Sequence, residues 1–164
     1  RREGMHKVTR IVKGGASRTE SVLEGLHAAD PKADLVAIHD GARPFLPPEV
    51  LEDTIETART RGAAAPAIPV KDTIKVASGG VVVATPERAK LFAVQTPQCF
   101  DRDLLSAALS QPDGVWTDDC AALEQLGVRV RLTPGEERNF KVTTPLDLQL
   151  ARLLAAEENE HNKE

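Results

Sequence analysis

Residues able to hold an anion recur in this chain directly behind apolar runs. Asp40 and Arg43 lie in His39-Asp40-Gly41-Ala42-Arg43-Pro44, which follows Leu35-Val36-Ala37-Ile38. Asp72-Thr73 follows the apolar run 63–70, Thr96 follows 91–94, and Lys141 stands in Asn139-Phe140-Lys141-Val142-Thr143. A short apolar run reads as a buried strand, and Gly41 with Pro44 turns the first of them into a loop. In an open α/β sheet such strand ends gather on one rim, where ligands bind. Hydroxyls beside Arg and Lys suit a phosphorylated polyol and a nucleotide. Phosphoryl or nucleotidyl transfer needs positioning and charge stabilisation more than a protein nucleophile. On Asp40 and Arg43 alone, a polar turn with a surface ion pair is the better account; the recurrence favours a site. His39 reads as a structural hydrogen-bonding residue rather than a base. No Ser-His-Asp arrangement and no pair of histidines at metal-ligand spacing can be picked out, and metal ligands are left unassigned.

The elements that must position these residues follow from periodicity and punctuation. Val8, Ile11 and Val12 predict a short strand ending at Gly14-Gly15, which lacks the Lys-Ser/Thr ending of a Walker loop. Ser17-Arg18-Thr19-Glu20 is a capping-box pattern, and Val22, Leu26 and Ala29 form one face of the helix it opens. Ser21 lies in that helix's first turn, where a hydroxyl can approach a ligand or simply face solvent. Pro47-Pro48 opens a second helix, with Val50, Leu51, Ile55 and Ala58 inward and Gly62 at its end. Residues 63–70 predict a strand in which Pro66 and Pro69 imply an edge, a bulge or an early end. Residues 74–77 and 81–84 flank Ser78-Gly79-Gly80 as a hairpin with too little core to stand alone, which points to packing on a second subunit.

Residues 91–94 predict another strand, and Asp101 caps a helix through Leu109 with Leu104, Leu105 and Ala108 inward. Thr117 is placed as the cap of the next helix, with Asp118-Asp119 as acids complementing its dipole and only weak candidates for metal ligands. Ala121, Leu123 and Leu126 are its apolar positions, Gly127 ends it, and Val128, Val130 and Leu132 alternate as a strand. Thr144 caps a last helix opened by Pro145, with Asp147 at its third position and Leu146, Leu150, Leu153 and Leu154 as its buried face. The alternation of strands and helices over 164 residues describes a single α/β layered domain.

Composition sets the limits. A net charge of −4 argues against a general nucleic-acid binder. No apolar run reaches the length of a membrane span. Cys99 and Cys120 make no disulfide framework, so reduced thiols in a cytoplasmic protein are expected. The chain opens Arg1-Arg2-Glu3-Gly4 and its only methionine is Met5, so it is expected to start inside a longer natural sequence.

Six motifs stand in the order of one family. They are Gly14-Gly15 with Arg18, Ser21-Val22 and Gly25-Leu26; His39 to Pro44; Asp72-Thr73; Thr96-Pro97-Gln98; Thr117-Asp118-Asp119 with Ala122-Leu123-Glu124; and Asn139 to Thr143. Together they closely resemble the 2-C-methyl-D-erythritol 4-phosphate cytidylyltransferases of the non-mevalonate isoprenoid pathway. The resemblance implies a Rossmann-like nucleotidyltransferase fold, with a mixed, mostly parallel sheet and a protruding hairpin arm at about residues 71–90. It implies CTP and magnesium, and a substrate phosphate that attacks the α-phosphorus. Gly14, Gly15, Ser21, Asp40, Gly41 and Arg43 would bind the nucleotide, with Asp40 at the ribose. Lys141 would stabilise the α-phosphate in the transition state. Thr73, Arg88, Thr96 and Thr117 would bind the polyol phosphate, Arg88 across a homodimer formed through the arm.

The family's glycine-rich triphosphate loop and two central strands lie upstream of anything in this sequence. Residues 7–12 are therefore expected not to pair with residues 35–38. Two other readings stay open: a cytidylyltransferase for another polyol phosphate such as ribitol 5-phosphate, and a truncated, non-catalytic binding or dimerisation module.

Overall fold

The computed structural model describes residues 7–111, 116 and 118–161. The most apolar run becomes strand β2 (Ala63–Pro69) at the centre of a five-stranded sheet. Ala63, Ala64 and Ala65 are fully buried, and their small side chains let elements close on both faces of β2. One edge of β2 carries β6 (Gln98–Asp101) and β5 (Phe92–Val94), antiparallel, with Ala64 opposite Cys99 and Ala67 opposite Val94. Its other edge carries β7 (Arg131–Pro134), parallel, with Ala65 opposite Leu132. Beyond β6 lies β1 (Leu35–Ile38), antiparallel to it. Thus β1, β2 and β7 share one direction while β5 and β6 run against them. This is the mixed α/β sheet expected, although the opposing segment makes β2–β7 the one parallel ladder among the described residues.

Helices cover both faces. Phe100, Leu105 and Leu123 are fully buried where the sheet meets α1 (Arg18–Ala28), α3 (Arg102–Leu109) and α4 (Asp119–Gln125). Burying side chains of this size contributes roughly 1.5–3 kcal/mol each. On the opposite face α2 (Pro48–Arg61) seats Ala58 against Ala64 and Cys99. Thr54 of α2 also meets Thr133 of β7, hydroxyl to hydroxyl at 3.1 Å.

The prolines do not make β2 an edge. In a strand the N and C=O of one residue point to the same side, and the Pro66 carbonyl accepts the Gln95 N–H at 2.8 Å. The missing Pro66 donor therefore faces the break between β5 and β6, where no ladder bond is lost. Behind β7 the chain presses on β2 so closely that a Cβ on Gly135 would lie 2.9 Å from the Ala67 carbonyl carbon.

Several expected elements differ. Residues 7–12 form no strand, and Val8, Ile11 and Val12 are exposed. They join neither sheet and do not pair with β1, as expected. The strand β6 has no clear sequence signal, because a Gln and an Asp sit at the ends of its four residues. The strand expected from Val128 begins only at Arg131, where register with Ala64 of β2 starts. Asp118, not Thr117, caps α4: its Oδ1 accepts the Ala121 N–H at 2.9 Å. Thr117 lies outside the described residues. Leu126, expected on the apolar face of α4, is exposed.

The last helix, α5 (Pro145–His161), opens as predicted, with Asp147 accepting the Thr144 N–H at 2.7 Å. Its expected buried face is not buried. Leu146 is 73% exposed and Leu153 64%, whereas Ala151 turns inward at 9%. Among the described residues no other element lies broadly against this helix. The arm forms as expected from β3 (Val76–Ser78) and β4 (Val81–Ala84), joined by Gly79 and Gly80 at φ 56° and 80°. Two positive φ values are what a tight hairpin turn requires. The arm is a separate two-stranded sheet whose strand residues are all exposed.

Candidate active site

The loop behind β1 is fixed by its own short bonds before any distant group arrives. The Arg43 N–H donates to the Asp40 carbonyl at 3.0 Å, and the Arg43 carbonyl accepts from His39 Nε2 at 3.0 Å. Two other loops then lock onto it. The Asp40 N–H donates to Thr96 Oγ1 at 3.0 Å, and Val142 N–H donates to the Ala42 carbonyl at 2.8 Å. Buried Asn139 joins all three: its Nδ2 donates to the Thr96 carbonyl at 2.8 Å, and its carbonyl accepts from Arg43 at 2.7 Å. Phe45 stacks on Phe140 with centroids 5.9 Å apart, closing the apolar side.

On this frame Lys141 Nζ stands 3.0 Å from Asp40 Oδ2, and Arg43 Nε 3.5 Å from the same oxygen. Partial burial would raise the Asp40 carboxyl, but the Lys141 hydrogen bond and charge, with Arg43 and Arg18 behind them, outweigh it. The group is held below its ordinary 3.8. The Lys141 side chain is 47% exposed, so the cation can reach a ligand. Lys141 lies in a loop rather than at a strand end, because β7 stops at Pro134 and the chain turns before reaching it.

Beside this cluster a groove of about 620 Å³ runs between α1 and β1, lined by Arg18, Ser21, Asp40 and Gly41 among others. Ser17 caps α1 as predicted, accepting the Glu20 N–H at 3.1 Å, while Glu20 reaches back to the Ala16 N–H. Space at the glycines before the cap is tight, most of all at Gly15. A Cβ on Gly14 would lie 2.8 Å from Ser21 Oγ, and one on Gly15 would overlap Glu20. Gly14, Gly15 and Ser21 thus gather at the start of α1, with Asp40 and Gly41 across the groove.

A third group has little sequence signal. Arg18 grips Asp119 through two bonds of 2.7 and 2.8 Å, and Asp119 is only 1% exposed. The Asp119 hydrogen bond and charge hold the Arg18 proton more tightly than usual, against the desolvation that opposes them. Gln98 bridges the same corner, accepting from the Asp119 N–H at 3.1 Å and donating to Asp118 at 3.0 Å. The adjacent acids are therefore more than dipole partners, since one is the anchor of a buried ion pair. Only residue types near Thr-Pro, with Gln on both sides, could have hinted at the buried amides.

The remaining candidates stand apart. Thr73 and Arg88 lie exposed at the foot of the arm, where Arg88 donates to the Lys71 carbonyl at 2.9 Å. Neither is bonded to the Asp40 cluster. A hollow of about 440 Å³ lined by Arg43, Lys71, Asp72, Glu137 and Phe140 lies between β2, β5 and the Asn139 loop. Among the described residues no group of three or more His, Cys, Asp or Glu could enclose a metal ion. Both cysteines are buried and free, and burial pushes the Cys99 thiol up to about 11, away from a reactive thiolate.

A mixed sheet layered with helices, with phosphate-suited cations on one rim, is the layout of a nucleotidyltransferase domain. The family model described as 2-C-methyl-D-erythritol 4-phosphate cytidylyltransferase matches residues 3–157, and the chain belongs to that family. It is 49% identical over 158 residues to the enzyme of that name from Symbiobacterium thermophilum, covering 94% of this chain and 67% of that protein. It is 50% identical over 149 residues to the one from Rhodococcus jostii, covering 90% and 66%. The solved structure of the cytidylyltransferase from Thermus thermophilus superposes with a TM-score of 0.81 at 38% identity, over 88% of this chain and 72% of that one. The chain spans about two thirds of the length of the curated relatives it matches.

Proposed function

We propose that this chain carries the nucleotide and acceptor rim of an enzyme that transfers CMP from CTP to 2-C-methyl-D-erythritol 4-phosphate. The observation that supports this best is the convergence of Asp40, Arg43 and Lys141 beside the α1–β1 groove. A phosphate oxygen of the polyol attacks the α-phosphorus of CTP. That O–P bond forms, the bond to the bridging oxygen breaks, and pyrophosphate leaves with the electron pair. An ionised phosphate needs no base to remove a proton, which fits a rim without a catalytic histidine. Lys141 exchanges Asp40 for the α-phosphate as charge builds there, and Asp40 turns to a ribose hydroxyl. Gly41 lets the cytidine lie close to the backbone, Ser21 offers its hydroxyl with Gly14 and Gly15 beside it, and Arg43 buttresses Asp40.

Thr73, Arg88, Thr96 and Thr117 take the polyol phosphate, with Arg88 supplied by the arm of a second subunit in a homodimer. The exposed valines of the arm support that pairing. Magnesium fits as an ion carried by the triphosphate, because it keeps several waters and takes one or two carboxylates. The bound ion would neutralise phosphate charge, while the Asp40 carboxylate stays with the ribose. Free, buried thiols support a cytoplasmic location; no helix among the described residues is long and apolar enough to cross a membrane.

The test incubates the full-length protein with CTP, Mg²⁺ and 2-C-methyl-D-erythritol 4-phosphate, following pyrophosphate release and the diphosphate-linked product by phosphorus NMR. Transfer to ribitol 5-phosphate with none to the methylerythritol phosphate would overturn the reading.

A further inference from the structure

Lys141 lies in a loop, where no ladder bond holds its backbone, yet its ammonium stands 3.0 Å from Asp40 Oδ2. The backbone that follows it is fixed in another way, because the N–H groups of residues 142, 143 and 144 are all taken. Val142 donates to the Ala42 carbonyl at 2.8 Å. Thr143 and Thr144 both donate to one oxygen of Asp147, Oδ2, at 2.9 and 2.7 Å. The Thr143 hydroxyl adds a third bond to the same oxygen at 3.1 Å. A capping box accounts for part of this. Thr144 caps α5 by accepting the Asp147 N–H at 3.2 Å, and an acid at the third helical position reaches back to the N–H of the cap. It does not account for Thr143, which lies before the cap and whose two bonds involve no orphan group of the helix. A carboxylate accepts such bonds best when ionised, and these donors hold Asp147 below its ordinary 3.8, the Thr143 N–H foremost.

We propose that Asp147 is a positioning residue for Lys141, fixing the loop behind it so that the ammonium stays at the Asp40 rim. The loop is then held on both sides of Lys141. Upstream, the Asn139 carbonyl accepts from Arg43 at 2.7 Å, and downstream, Ala42 and Asp147 take the next three N–H groups. A flexible stem joins the ammonium to this backbone, so any freedom in the loop adds to that of the side chain. Asp147 touches neither Asp40 nor Lys141 and acts only through the chain between. The kinetic consequence rests on the reading of Lys141 as the cation at the α-phosphate, but the hydrogen bonds stand without it.

The experiment compares Asp147→Ala, Asp147→Asn and Thr144→Ala in the full-length enzyme. Misplacing a reacting group by about 1 Å can cost about 10²-fold in rate, and a loop that still visits the held geometry should lose less. Asp147→Ala should therefore lower kcat about tenfold, with KM for CTP changed less than about threefold. Asp147→Asn keeps an oxygen acceptor in the same place and should recover most of the rate. Thr144→Ala removes the cap of α5 but leaves both bonds to Thr143, so it should lower stability with kcat held within about twofold. In a Lys141→Ala background, Asp147→Ala should change kcat by less than about twofold, because the group it positions is gone. Losses that multiply in the double variant, or a Thr144→Ala enzyme slowed as much as Asp147→Ala, would reduce Asp147 to a helix cap and overturn the proposal.

Two NMR readouts need no turnover, and the first needs no variant to fold. In the unmutated protein the Thr143 and Thr144 amide signals should move as the Asp147 carboxyl takes up its proton. Amides that ignore that titration would overturn the geometry. In Asp147→Ala the Asp40 carboxyl should titrate at higher pH than in the unmutated protein, since a loosened Lys141 lowers it less. An Asp40 titration that Asp147→Ala leaves unchanged would overturn the positioning role. Unmutated enzyme that transfers no CMP would instead overturn the function reading, with both NMR signals still deciding what Asp147 holds.

Discussion

At the Asp40 rim the chain has almost no regular structure, yet its atoms are tightly specified. Three loops meet there, and backbone groups that no ladder could satisfy are taken by Thr96, Asn139, Gln95 and His39. In the hairpin arm the reverse holds. Its strands are regular and its turn has the right glycines, yet no strand residue is buried. Regularity and rigidity are therefore separate properties in this molecule. A bond from a buried side chain to a backbone group fixes a loop because leaving either partner unmet costs about 1–3 kcal/mol. A ladder bond in water replaces a bond that solvent would make almost as well.

The contrast is broken most forcefully at the corner behind the rim. Arg18→Ala would strand the Asp119 carboxylate, 1% exposed, without its cation. Removing one partner of a buried pair costs roughly 3–5 kcal/mol, and the lower end is expected because the Arg18 side chain is 37% exposed. Denaturant unfolding measures it. Adding Asp119→Asn should recover part of the loss, and a single variant as stable as the parent would show that the pair is not structural.

The next effect is on rate rather than stability. Lys141→Ala in the full-length enzyme should lower turnover by about 10²–10³, the usual consequence of losing one electrostatic donor to a transition state. CTP binding should weaken much less, since the cation matters most when charge peaks. A variant with near-normal kcat and only a raised KM for CTP would make Lys141 a simple binding residue.

How far these two regions could be read from sequence follows the same divide. The arm was legible because a hairpin announces itself locally, by Gly79-Gly80 between short apolar runs. The helices and their caps at Ser17, Asp101 and Thr144 were legible for the same reason. Asp40, Arg43 and Thr96 were legible because they follow apolar runs that become β1 and β5, whereas Lys141, expected at a strand end, reaches the same cluster from a loop. What joins them was not. The Arg18–Asp119 pair spans 101 positions, and the Gln95–Asn139 contact spans 44. The strand β6 was hidden by its polar ends, and the α4 cap was misplaced because hydroxyl and carboxylate caps look alike in sequence. The leucines of α5 show a correct periodicity without a surface to bury it.

A smaller effect sharpens the rim's electrostatics. Asp40 is held below its ordinary 3.8, so its charge favours the folded state above that value and the advantage is lost as pH falls through the lowered one. Lys141→Met removes the strongest force opposing the raising effect of burial. The Asp40 carboxyl should then titrate at higher pH, and the acid limb of the stability curve should move up with it. Carbon NMR of the Asp40 side chain reads the shift directly. An unchanged titration would mean that Lys141 and Asp40 are not paired in solution.

The smallest change in stability is expected at the arm. Val82 is 54% exposed and Val83 61%, on strands that touch no core. Val82→Ser should alter unfolding of the isolated subunit by no more than about 0.5 kcal/mol, the usual range for surface positions. The same substitution should weaken the proposed homodimer, because a second arm or subunit is what would cover these valines. Sedimentation measured beside unfolding separates the two effects. A loss of folding stability well beyond that range would show that the arm packs within its own subunit. Unchanged stability with unchanged association would leave Arg88 without a route to a partner's rim, and the shared site would fall while the Asp40 cluster stood.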